Sequence, residues 1–245
     1  MKTEILYGAH PVMEALKAEK RKFFEIYTSR EKVSRPKQAI LNLAEKRSIP
    51  IRIISPSKLQ SLTGGGLDQG IGAKVTVFQT VSADFLKTQI IADPPPLFLI
   101  LDHIIDPQNC GAIIRTAHCA GVSAVIIPKK RAALPTPAVS KASAGALEHM
   151  TIVLVSNISH TLKTLKDKGV WITGTDSTAE QSLFAFDLKG PLGIIIGGEE
   201  KGIRSLVKKQ CDFLLSLPLK GKVESLNASA AAAVVLYEAL RQRDQ

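Results

Sequence analysis

From Leu97 to the C-terminus the chain alternates short apolar runs with segments of helical character, and this narrows the fold more than any other feature. LFLILDHI (97–104), AVIIP (124–128), TIVLV (151–155), VWITGT (170–175), LGIIIGG (192–198) and DFLLSLP (212–218) are apolar along nearly their whole length. A strand with one wet face would instead alternate apolar and polar residues. Between these runs lie helical stretches at 110–121, 140–147, 160–168, 203–210 and 228–243. Strands buried on both sides and joined by helices predict an α/β fold, a mostly parallel sheet with helices on both faces. The triple proline Pro94-Pro95-Pro96 precedes the first strand, so 80–96 reads as a stiff linker. The domain plan is therefore 1–79, a linker at 80–96, and a larger module over 97–245.

Residues 1–79 read as a small α/β unit. Its expected helices run from His10 or Pro11 to Ala18, over Ser34–Lys46 and over Ser57–Ser61. Its expected strands are Phe24–Tyr27, Ile51–Ile54 and the AKVTVF run that begins at Ala73. The loop Thr63–Gly70 is glycine-rich, but a strand follows it rather than a helix, so it is no nucleotide fingerprint. It reads equally as a flexible turn or as backbone that approaches an RNA phosphate.

Charge points to a polyanion. The net charge is +10, and residues 1–80 hold 14 Lys and Arg against 7 Asp and Glu, so the surplus is concentrated in the first third. Aromatic content of 5% argues against a protein that works only as a base-stacking platform. Three cysteines without a CxxC pair suit a reducing compartment, and the N-terminus lacks the apolar core of a secretory signal, which makes the cytoplasm the expected location. No run approaches 18 apolar residues, so no membrane partner is expected. His103, Cys110, His118 and Cys119 match no common metal-site spacing. Trp171, inside an apolar run, reads as core. The Lys129-Lys130-Arg131 cluster reads as a solvated loop or a phosphate contact, with the second favoured.

In a parallel α/β sheet, chemistry gathers where strands end and helices begin. Three such junctions are unusually polar or glycine-rich. In Asp106–Thr116, Asn109 is a candidate cap and Arg115 can reach back toward the helix start. Gly197–Gly202 is a glycine turn that carries Glu199 and Glu200. In LPLKGKVESLNASAAAAVVLYEALRQR (217–243), Ser225 or Asn227 can cap the last helix and leave its free N–H groups over the loop. Each alone has a plain reading as a cap or a turn.

Taken together, DPQNCGAIIRTA, IIIGGEEKGI and LPLKGKVESLNASAAAA resemble, in order and spacing, the three motifs of the SpoU/TrmH group of RNA ribose 2′-O-methyltransferases. The resemblance covers Leu97–Arg243. The opening YGAHPVMEAL and the segment LDQGIGAKV are similar to the substrate-binding domain that some members carry, although Asp68 stands where that domain has His. The resemblance implies the SPOUT fold, with a C-terminal trefoil knot, a homodimer, and S-adenosylmethionine as methyl donor without a metal. It also implies methylation of guanosine in large-subunit rRNA. A tRNA or another rRNA site, or a non-catalytic assembly protein of the same fold, are the alternatives. By motif position the donor would be held by Thr173, Gly174, Thr175, Gly197, Leu217 and Leu226. Asn109 and Arg115 would act at the ribose and phosphate, Glu199 would orient the site, and Ser225 and Asn227 would position substrate and loop. Guanidinium resists deprotonation, so Arg115 suits charge stabilisation better than proton abstraction.

Overall fold

The computed structural model describes residues 2–29, 34–66, 68–90 and 92–245. Leu67 in the glycine loop and Ile91 in the expected linker lie outside the described residues. The chain forms two compact units, Met1–Gln79 with Pro135–His149, and Thr80–Leu134 with Met150–Gln245.

The first unit contains β1 (Thr3–Tyr7), α1 (Ala9–Ala18), β2 (Phe23–Ser29), α2 (Arg35–Lys46), β3 (Ile51–Ile54), α3 (Pro56–Leu62) and β4 (Ile71–Thr76). Its sheet runs β1-β4-β2-β3, with β4 antiparallel to both neighbours and β2 parallel to β3. Leu6, Val12, Leu16, Ile26, Ile40, Ile71 and Val75 are wholly buried between the sheet and helices α1 and α2. Gly8 offers no side chain to cap α1, and Gln69 Oε1 accepts the Ala9 N–H over 3.0 Å instead. The glycine loop has a local reason. Gly64 and Gly65 lie at φ +67° and +82°, and the Gly65 N–H donates back to the Gln60 carbonyl, which closes α3.

The segment 135–149 joins this unit through a buried charge cluster. Arg21 donates from Nε to Glu148 Oε2 (2.6 Å) and from Nη2 to Glu148 Oε1 (2.9 Å), while Nη1 bonds Glu4 and the Thr76 carbonyl. Ser140 Oγ donates to the same Glu148 carboxylate at 2.6 Å. The Arg21 and Glu148 side chains are only 2% and 1% exposed, so removal of either partner would strand a buried charge at a cost of about 3–5 kcal/mol. The helix expected over 140–147 is displaced. A short helix spans Pro137–Ala142, then Ala144 and Gly145 turn left-handed at φ 51° and 88°, and a single 3-10 turn follows at Ala146–Glu148.

In the second unit, residues 80–96 are more than the expected linker. Val81 bridges to Val153, and α4 (Asp84–Gln89) buries Leu86 in the core of this unit. The remaining elements are β5 (Leu97–Asp102), α5 (Pro107–Cys119), β6 (Ala124–Pro128), β7 (Ile152–Val155), α7 (Ile158–Lys166), β8 (Trp171–Thr175), β9 (Gln181–Ser182), β10 (Leu192–Gly197), α8 (Ser205–Lys208), β11 (Phe213–Ser216) and α9 (Ala228–Arg243), with α6 being the 137–142 helix of the first unit. The sheet order is β7-β6-β5-β10-β8-β11-β9, and every pairing is parallel. Phe98, Ile100, Ile126, Val153, Ile172 and Ile195 fill its core, as the fully apolar strands require. Trp171 departs from the core reading and is 56% exposed. It opens β8 rather than sitting inside it, and its ring tilts against Phe213 with centroids 5.7 Å apart. No described helix is long and apolar enough to cross a membrane.

Candidate active site

The order of the sheet brings β5, β10, β8 and β11 side by side, so the loops that leave their C-terminal ends share one edge. The Gly197–Gly202 turn after β10 sits at the centre. A Cβ on Gly197 would lie 2.2 Å from the Gly202 carbonyl carbon, and one on Gly198 would lie 2.6 Å from the His103 carbonyl oxygen. Side chains at these positions would drive the backbones apart. Both glycines let the turn fold onto itself and onto the β5–α5 loop.

The folded turn is a wall between two cavities. The first encloses about 490 Å³ between Thr175–Thr178, Ile196–Gly202, the β11 exit at Leu217 and Leu219, and the loop Glu224–Leu226. The second encloses about 920 Å³ between His103–Pro107, Asn109, Arg131, Arg204 and the other side of the same turn. Gly198, Glu199, Glu200, Lys201 and Gly202 line both.

Three polar side chains meet at this wall. Asn109 Nδ2 donates to Glu199 Oε1 over 2.8 Å. Asn227 Nδ2 donates to Asn109 Oδ1 over 3.0 Å and also to Glu199 Oε1. Asn227 caps α9 as well, because its Oδ1 accepts from Ser229 N at 2.9 Å and Ser229 Oγ at 2.6 Å. One amide group therefore ties the helix start to the carboxylate. The cap of α5 is Asp106, whose Oδ1 and Oδ2 accept from Gln108 N and Asn109 N at 3.1 Å each, and not Asn109. With the cap supplied by Asp106, the Asn109 side chain is free to reach Glu199.

Of the remaining site expectations, Thr175, Gly197, Leu217, Ser225 and Leu226 line the smaller cavity. Thr173 and Gly174 do not. Thr173 is 1% exposed, and its Oγ1 has no hydrogen-bond partner among the described residues. At Gly174 a Cβ would lie 2.8 Å from Ile203 Cδ1 and 2.9 Å from Cys211 Sγ, so packing alone calls for a glycine there. Arg115 lies on an exposed position of α5 and lines neither cavity. It makes no hydrogen bond or ion pair with the described residues, and its six-residue step from Asn109 turns it about 120° away around the helix. Cys110, on the same helix, is inert. Burial, helped by the Asp106 charge, pushes its thiol up to about 12.

The sequence reading missed Asp176 and Lys208, which pair across the floor of the smaller cavity. Burial, the largest influence, pushes the Asp176 carboxyl up, but hydrogen bonds from Lys208 and Thr178 outweigh it and hold the group below the ordinary carboxylate value. The signal available was an Asp directly after the strand VWITGT. A general turn-former of that kind carries no information about a Lys 32 residues on.

A parallel sheet with its polar groups gathered at one edge defines an α/β protein with a ligand site at the carboxyl ends of its strands. The SpoU rRNA Methylase family model matches residues 96–237, and the model for the RNA 2′-O ribose methyltransferase substrate-binding domain matches residues 5–81. The chain belongs to the SpoU methylase family. It is 38% identical over 242 residues, 98% of this chain and 97% of the relative, to the 23S rRNA (guanosine-2′-O-)-methyltransferase RlmB of Pseudomonas putida. The RlmB of Ralstonia nicotianae is 38% identical over 243 residues, 99% of this chain and 97% of the relative. The same fold occurs in the SpoU methyltransferase AviRb from Streptomyces viridochromogenes in complex with AdoMet, with a TM-score of 0.81 at 24% identity, covering 98% of this chain and 90% of that one.

Proposed function

We propose that the protein transfers a methyl group from S-adenosylmethionine to the ribose 2′-hydroxyl of a guanosine in 23S rRNA. The observation that carries this reading is the shared wall, where Asn109, Glu199 and Asn227 stand between a donor-sized cavity and a larger open one. The relatives named for this reaction, matched over nearly their full length, supply the substrate class.

The residues of the smaller cavity fit the methyl donor. A volume of about 490 Å³ lies in the range of small-molecule sites. Ile196, Leu217 and Leu226 give an apolar wall for a base, while Asp176 and Glu224 offer carboxylates to hydroxyl and ammonium groups. S-adenosylmethionine supplies a methyl already activated by sulfonium sulfur. What remains for the protein is alignment, the exclusion of water and help for the departing hydroxyl proton. Asn109 and Asn227 hold Glu199 in one orientation at the wall, and the larger cavity accepts the nucleotide on its other side. We assign Arg115 to RNA phosphate and to developing charge on the 2′-oxygen. Because it lies away from these cavities, that role requires Arg115 to act on a site completed by a second copy.

A homodimer meets that requirement. Helix α9 exposes Val234 and Tyr237, 38% and 52% accessible, on a surface without a clear polar side. The C-terminal segment is assigned the trefoil knot of this fold, which is consistent with β11 between β8 and β9 and with α9 packed against α5. The basic unit over residues 1–79 is assigned to RNA binding, and the cytoplasm follows as the site of action. The test is to incubate the purified protein with labelled donor and unmodified large-subunit rRNA, then digest to nucleosides. Label is expected on 2′-O-methylguanosine. Label on another nucleoside or on tRNA alone overturns the substrate. A bound donor without any transfer, even to ribosomal assembly intermediates, overturns the reaction.

A further inference from the structure

We propose that Arg204, clamped by the buried Asp102, and Arg131 form a phosphate subsite on the rim of the larger cavity and grip the RNA backbone beside the target ribose. The inference rests on the reading of that cavity as the RNA-facing one. Asp102 ends the apolar strand β5 and is 0% exposed. Its Oδ2 accepts the Arg204 backbone N–H at 2.9 Å and its Oδ1 accepts Arg204 Nε–H at 2.8 Å, with Nη2 a further 2.7 Å ion-pair contact to Oδ1. To close the turn after β10, only the first of these bonds is needed, and an amide side chain would supply it. The second oxygen is committed to the guanidinium. A buried carboxylate carries a desolvation cost that a close cation and hydrogen bonds offset together, and here Asp102 holds the guanidinium by its Nε edge, which sets its direction.

That direction is into the cavity. Arg204 lines it, and its side chain stays 43% exposed although its partner is wholly buried. A guanidinium has five N–H donors, and Asp102 takes a hydrogen bond from one of them, Nε–H. The outer donors keep the planar fork that suits a phosphate.

Arg131 stands on the same cavity with an independent sign of purpose. It is exposed, makes no hydrogen bond or ion pair with the described residues, and sits at φ 57°. For a residue with a Cβ, the left-handed region costs about 1–2 kcal/mol relative to the ordinary one. Glycine would remove that cost, and the cation would go with it. A strained, unpartnered cation that faces the same space as an aimed one is what a polyanion backbone requires.

The experiment measures binding of a labelled 23S rRNA fragment against salt concentration for the full-length protein and for Arg131→Gly and Arg204→Lys. Arg131→Gly suits the backbone, so its fold is expected to persist. Arg204→Lys keeps a cation on Asp102 and removes the fork. Each lost phosphate contact lowers the slope of log affinity against log salt by about 0.7–0.9. Arg131→Gly should therefore weaken binding most at low salt and flatten the slope by that amount. Arg204→Lys should raise KM for RNA several-fold. Donor affinity, read by calorimetry, should stay at the parent value in both. An unchanged slope for Arg131→Gly together with an unchanged RNA KM for Arg204→Lys would overturn the inference and leave the proposed reaction standing. A parent protein that does not bind the RNA would overturn both.

Discussion

Asn227 Nδ2 meets Asn109 Oδ1 at 3.0 Å across 118 residues of chain, and the same Asn227 side chain caps helix α9. Cap and site are one group, so they can be separated by mutation. Asn227→Asp keeps an oxygen for the cap but sets a second carboxylate against Glu199 and removes the donated N–H. The expected result is stability within about 1 kcal/mol of the parent, with methyl transfer reduced by a factor of about 100 or more. Asn227→Ala should lose about 0.5–2 kcal/mol through the cap as well. Urea unfolding beside single-turnover transfer checks the pair, and full activity in Asn227→Asp would remove the network from the mechanism.

Gly197→Ala places a methyl where the backbone of Gly202 already lies, 2.2 Å away. Neither atom belongs to a flexible side chain, so the turn must open. The expected cost is at least about 1–3 kcal/mol. Because the turn lines both cavities, donor affinity should fall along with it. Calorimetric titration with the donor is the measurement, and parent-like affinity would show that the wall tolerates the shift.

Arg115 is exposed and unpaired among the described residues, so Arg115→Ala should change stability by no more than about 0.5 kcal/mol. Donor binding should be kept and methyl transfer almost abolished. If the variant turns over at the parent rate, the role assigned to this arginine is wrong. Mixing it with an inactive Asn109→Ala partner should restore part of the activity, if the site is completed by a second copy.

Asp176 is held below its ordinary value of 3.8, so the unfolded chain takes up its proton first as pH falls. The stabilisation from its pairing with Lys208 is therefore complete above that value and disappears as pH drops through the lower folded value. Lys208→Met should be less stable than the parent at neutral pH, and the gap should close as pH falls through the lowered folded value of Asp176. Chemical denaturation at several pH values tests this, and a gap that persists in acid would point to lost packing instead of lost charge.

Much of the larger unit was legible because fully apolar strands leave few alternatives. Each of the six apolar runs from Leu97 onward became a strand of one parallel sheet. The three polar junctions were legible as junctions, and the meeting of Asn109, Glu199 and Asn227 follows from strand order. Direction within a junction was not. Asp106 and Asn109 are both good caps, and only the path of the chain decides which one the helix uses. Thr173 and Thr175 share a strand two residues apart, yet only Thr175 lines the cavity, because β8 is still in the core at Thr173. Trp171 misled for a related reason. An apolar run fixes that a strand exists but not which of its ends protrudes. The affiliation of 135–149 left no local trace at all, since Arg21 and Glu148 lie 127 residues apart.

That last pairing bears on how such a protein could be taken apart or recombined. The basic unit is written in two places in the sequence, and the shorter passage falls between the strands β6 and β7 of the other unit. A graft of residues 2–79 onto a foreign methyltransferase would carry Arg21 without Glu148 and Ser140, and hence a buried guanidinium missing its main anion. The exchangeable module is discontinuous, so swaps of substrate preference between relatives should succeed only when both passages travel together.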